Sequence, residues 1–109
     1  MYTEKNSDQG KTIGIYSYLT IIGTIIAMIN NAEVKSPFAS FHIRQALGLI
    51  ISFFALGYLV GYFDSWAVSM AFYIFFFILW IYGFAGAVQG QMNLIPILGP
   101  LFQKVFKTI

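Results

Sequence analysis

The charges of this chain gather in a few small clusters and leave three long uncharged stretches, residues 12–32, 45–63 and 65–103. Six Lys/Arg and four Asp/Glu make up the whole charged complement, 9% of the residues, while 59% are hydrophobic. Ordinary soluble domains carry about a quarter of their residues charged, spread over the surface. A hydrocarbon core of about 30 Å is crossed by about 20 apolar residues of helix. The first two stretches are each long enough for one span, and the third for one span plus a further element. The pattern predicts an all-α membrane protein with three transmembrane helices and a short C-terminal amphipathic interfacial helix.

The expected organisation is a polar N-terminal tail over 1–11 and a single helical membrane domain over 12–109. Spans are expected at about 12–31, 45–63 and 66–88, with an interfacial segment at 94–109. The tail balances Glu4 and Asp8 against Lys5 and Lys11. The apolar run behind it exceeds a signal-peptide core and lacks a small-x-small cleavage site, so it reads as a retained anchor.

Local signals set the boundaries. Ser36-Pro37 reads as a helix start, with Ser as N-cap and Pro at the first helical position. From there a helix can run without a break to residue 63. Asp64-Ser65 makes a tight turn, and either residue can cap the helix that follows. Pro96, Gly99 and Pro100 disfavour regular helix near the end. Beyond them Leu101, Phe102, Val105, Phe106 and Ile109 share one face, opposite Gln103, Lys104, Lys107 and Thr108, which suits a helix lying in the headgroup zone.

Small residues mark packing faces. Apolar burial gives helices little net drive to associate in lipid, so close backbone approach over small side chains matters more. In the first span Thr20, Thr24, Ala27 and Asn31 form a stripe opposite a run of isoleucines. In the second, Gly48 and Ser52 share one face and Gly57 and Gly61 nearly the opposite one. In the third, Ser69, Tyr73, Phe76, Trp80, Gly83 and Ala87 recur at three- and four-residue steps. These stripes read as bundle contacts; a polar pathway along Thr20 and Thr24 is the functional alternative.

Three spans place the termini on opposite sides. Lys35, Arg44, Lys104 and Lys107 then share one side, facing Lys5, Lys11 and Asp64 on the other. The positive-inside rule puts the C-terminus in the cytoplasm and the N-terminus outside. Tyr16, Tyr18, Tyr62, Phe63 and Trp66 would form an aromatic belt at the outer surface.

The chemistry available is limited. There is one histidine and no cysteine, so thiolate nucleophiles, disulfides and thiolate metal sites are excluded. No cofactor is expected. The basic residues are not clustered as a nucleic-acid surface requires. The spans hold no carboxylate or amine of the kind that marks ion-coupled carriers. The most distinctive polar group is His42, Arg44 and Gln45 at the start of the second long helix. It can hold a lipid phosphate or a partner's acidic segment; alternatively Arg44 snorkels to headgroups and His42 bonds the neighbouring loop.

The stretch Lys35-Ser-Pro-Phe-Ala-Ser-Phe-His-Ile-Arg-Gln-Ala-Leu-Gly-Leu49 resembles a signature between the first two helices of a bacterial family of small membrane proteins. That family is similar to the chloroplast inner-envelope protein-import component. The motif falls on Ser36, Pro37, Phe38, His42, Arg44, Gln45, Ala46 and Leu47. The resemblance implies a helical inner-membrane protein linked to protein translocation, without supplying a reaction. The plastid component has four spans, whereas the charge pattern here gives three.

The sequence thus leads to a non-enzymatic, multi-pass protein of the bacterial inner membrane. It would be an accessory or assembling subunit acting through helix–helix association with other membrane subunits or with itself. Ser36, Pro37, Phe38, His42, Arg44 and Gln45 are its expected partner or lipid recognition segment. Thr20, Thr24, Gly48, Ser52, Gly57, Gly61, Gly83 and Ala87 are its expected packing residues. The alternative is a passive transport pore built from several copies.

Overall fold

The computed structural model describes residues 4–108, which form an all-helical chain without strands. Five helices follow in order: α1 (Glu4–Tyr16), α2 (Ile21–Val34), α3 (Pro37–Val60), α4 (Trp66–Val88) and α5 (Gly99–Val105). Residues 4–11 of the expected polar tail are thus helical and belong to α1, while residues 1–3 lie outside the described residues.

The two long helices form as the caps dictate. The Ser36 side chain accepts from the Ala39 N–H with Pro37 in the first turn, and the Ser65 side chain accepts from the Val68 N–H. Each cap supplies one of the acceptors that the first helical amides lack. With 24 and 23 residues, α3 and α4 are about 36 and 35 Å long. Both are long and apolar enough to cross a membrane. They form an antiparallel hairpin about the Asp64 turn. Phe53 stacks on Phe72 at 5.4 Å and meets Phe76 edge-on at 5.7 Å. Such ring pairs contribute about 0.5–1.5 kcal/mol each beyond area burial.

The expected first span does not form as one helix. The segment breaks at residues 17–20, and α1 and α2 are two short helices folded against each other and against α3. The break is sealed by side chains. The Ser17 hydroxyl donates to Gly14 O at 2.6 Å and the Thr24 hydroxyl to Ser17 O at 2.6 Å. Trp80 Nε1 on α4 donates to Tyr18 O, also at 2.6 Å. Thr20 begins α2 as its N-cap by accepting from the Gly23 N–H at 2.9 Å. A side chain at Gly23 would run into Tyr16 O, so the second arm approaches the first closely only because this residue has no Cβ.

This break changes the topology. Lys11 lies beside Gly90, Gly14 beside Phe38, and Tyr18 beside Gly83. The turn at 17–20 shares a groove with Leu49, Ile50, Phe76 and Phe77, midway along the hairpin. From there α2 returns to the start of α3. Both α1 and α5 therefore lie at the same end of the hairpin, not at opposite ends. Asp64 is the one charged residue of the far turn.

The packed core occupies the near end, where Ile43, Ala46, Leu49, Ile95 and Phe102 are buried. Beyond residue 50 the hairpin projects with apolar side chains outward: Phe54 is 59% exposed and Tyr58 70%. The isoleucines of α2 also face outward, with Ile22 at 69%. Of the residues expected in an outer aromatic belt, Tyr62, Phe63 and Trp66 lie at or beside the far turn, whereas Tyr16 and Tyr18 belong to the α1–α2 pair and Tyr18 is buried, at 3% exposure.

Candidate functional site: a buried polar junction at the start of α3

One face of α3 carries His42 and Gln45, one turn apart, and both are fully buried. His42 Nε2 lies 2.8 Å from Gln91 O, and Nδ1 lies 2.7 Å from the Tyr18 hydroxyl. A carbonyl oxygen only accepts, so Nε2 carries the proton and Nδ1 accepts from Tyr18. Gln45 Nε2 donates to the same Tyr18 oxygen at 2.9 Å, and Gln45 Oε1 accepts from the Ile95 N–H at 2.7 Å. A single chain of bonds thus joins the α1–α2 turn, α3 and the loop after α4. Rings surround it: Phe38 and Phe41 meet the His42 ring edge-on at 4.6 and 5.1 Å.

The network explains how an irregular loop is held against the core. Residues 91–95 form no helix, so their backbone groups need other partners. His42 takes Gln91 O, while Gln45 takes the Ile95 N–H and, at 3.3 Å, Asn93 O. Seated this way, the loop brings α5 back onto α3, where Phe102 packs against Gly48.

A second junction lies on the neighbouring face of α3. Arg44 Nη2 donates to Lys107 O at 2.9 Å and Nη1 to Gln103 Oε1 at 3.3 Å. Gln103 Nε2 in turn donates to Phe41 O at 2.8 Å. At the α2–α3 turn, Asn31 Oδ1 accepts from the Ser36 N–H and Asn31 Nδ2 donates to Ser40 Oγ, both at 2.8 Å. Lys35 closes α2 in a left-handed conformation, φ 55°.

The residues expected to form a recognition segment therefore separate. Ser36, His42 and Gln45 are interior and bonded within the chain, Pro37 is exposed, and Phe38 and Arg44 are partly buried. The packing residues also divide. Gly48 lies under Phe102, Gly57 lies against Phe72 of α4, Gly83 lies under Tyr18, and Ala87 is buried. Ser52 is half-buried; Gly61 is exposed and faces its own helix. Thr24 is buried with its hydroxyl bonded, and Thr20 caps α2.

Sequence reasoning missed Tyr18, Asn31 and Trp80 as polar partners. Tyr18 and Trp80 pass for ring contacts in an apolar run, with no signal of their bonds. Asn31 could have been found, because an Asn five residues before a Ser-Pro helix start is placed to bond the turn. Among the described residues, no three His, Asp or Glu side chains come together.

A lateral groove opens between the tip of the α1–α2 pair and the hairpin. Its volume is about 640 Å³, and Leu19, Ile50, Phe54, Tyr73, Ile74 and Phe77 lie along its walls. At the near end a smaller polar notch of about 510 Å³ lies between the end of α2 and the start of α3. Compared with protein-family models, curated proteins and solved structures, the chain matches none.

Proposed function

We propose that this chain is a non-enzymatic inner-membrane protein that acts as an accessory or assembling subunit, seating a partner's transmembrane helix in the lateral groove. The observation carrying this reading is the groove itself. It is walled by exposed aromatic and branched side chains where the hairpin projects beyond its own core. A cleft of this kind at mid-hairpin offers van der Waals contact to a helix, the main source of association in lipid.

In the bilayer α3 and α4 are the two spans, and α1–α2 is a re-entrant pair whose tip stops midway. Its Ser17, Thr24 and Trp80 bonds satisfy broken backbone where no water is present, as non-helical backbone at membrane depth requires. All six Lys/Arg fall at the near end and only Asp64 at the far turn. On this reading the positive-inside rule puts both ends of the chain in the cytoplasm, where the three-span layout has the N-terminus outside.

The buried junction supports a structural role over a catalytic one. Both His42 nitrogens are engaged, and neither is free to act as a base at a cavity. A pore of several copies gains no lining from Thr24, whose hydroxyl is spent on Ser17 O. The resemblance of residues 36–47 makes protein translocation the process in which to seek the partner.

The test is the mass and composition of the intact particle extracted in mild detergent. Foreign membrane subunits in fixed ratio are expected, with Ile50→Trp, which fills the groove, reducing their recovery. A particle containing this chain alone would remove the accessory reading.

A further inference from the structure

The polar notch at the near end is a second feature, on the face of α3 opposite the groove. Lys35 and Arg44 bring two cations to its lining, beside Asn31, Ser40, Phe41 and Met92. We propose that this notch binds the phosphate of an anionic phospholipid, held between Lys35 and Arg44.

Three observations converge there. The bonds that Arg44 makes among the described residues go to two neutral oxygens, Gln103 Oε1 and Lys107 O. Its Nε–H is shut off from solvent and is the one buried side-chain polar atom without a partner among the described residues. Buried donors almost always have partners, and the exceptions mark strain, function or an absent ligand. Lys35 occupies a left-handed helix cap, φ 55°, a position that favours Gly or Asn. In that conformation Lys35 lines the notch together with Arg44.

The mixed lining selects the lipid over a soluble anion. Asn31 and Ser40, bonded to each other, make one side of the lining polar, while Phe41 and Met92 suit the glycerol and the first carbons of an acyl chain. The notch also sits at the charged end of a helix long enough to span, the level at which headgroups lie. An arginine fork and an ammonium together are a common answer to a phosphate monoanion.

Native mass spectrometry of the full chain, with phosphatidylglycerol or phosphatidylcholine added to neutral detergent, tests this. The parent should retain phosphatidylglycerol preferentially. Lys35→Gly suits the left-handed cap, so its thermal midpoint without lipid should equal or exceed the parent's, with phosphatidylglycerol affinity about fivefold weaker. Arg44→Ala should also lose the preference, but it frees α5 as well, so Lys35→Gly carries the decision. Equal retention of the two lipids, or unchanged affinity in a folded Lys35→Gly, overturns the site. Saturable binding of inorganic phosphate with no lipid preference overturns the lipid assignment.

Discussion

At the scale of single residues, Gln45 does the most with the fewest atoms. Its amide nitrogen donates to Tyr18 and its amide oxygen accepts from the Ile95 N–H, and the side chain is wholly buried. Gln45→Leu preserves bulk but leaves a buried backbone N–H without an acceptor. A group stranded in this way costs about 1–3 kcal/mol, more than the net worth of an average hydrogen bond. A lowered thermal midpoint in detergent is expected, with faster amide exchange over residues 91–98 than elsewhere. Gln103→Ala, at a half-buried position with one bond to Phe41 O and one from Arg44, should cost less. Equal midpoints for the parent and Gln45→Leu would show that the loop is held by apolar contacts alone.

At the scale of elements, the short helix α5 depends on one close approach. A Cβ at Gly48 would strike the Phe102 ring near its attachment, where rotation of the ring gives little relief. Gly48→Ala should therefore lift α5 off α3 and expose residues 99–105 to proteolysis. Gly57→Ala meets the Phe72 ring at an ordinary 3.5 Å and should leave cleavage unchanged. The long helices were legible because their signals are local: Ser36-Pro37 and Ser65 act within one turn, and the apolar runs behind them are unbroken. The break at 17–20 was not. Hydropathy treats Ser, Thr and Tyr as near neutral, so a turn sealed by their side chains looks like continuous span. The buried junction was half legible. His42 and Gln45 stood out as polar groups on an apolar helix, but their partners lie 24 to 50 residues away, beyond any local pattern.

At the scale of the whole molecule, the question is how many times the chain crosses. The sequence pattern predicts three crossings, which separate Lys11 from Lys35 by a bilayer. The fold places them at one end, with the Asp64 turn at the other of a body about 52 Å long. The chain has no cysteine, so single substitutions can be read without background. Lys11→Cys, Lys35→Cys and Lys107→Cys should all react with a membrane-impermeant maleimide from the same side of sealed vesicles, and Asp64→Cys only from the other. Labelling of Lys11→Cys together with Asp64→Cys would restore the three-span layout and rule out a re-entrant pair. Leu19→Cys adds a depth marker at the tip. Two spans with a half-inserted hairpin keep it from the impermeant reagent on both sides, because the tip shares a groove with Ile50 and Phe77, midway along α3 and α4. A full first span also buries Leu19, so the sidedness of Lys11 separates the two topologies.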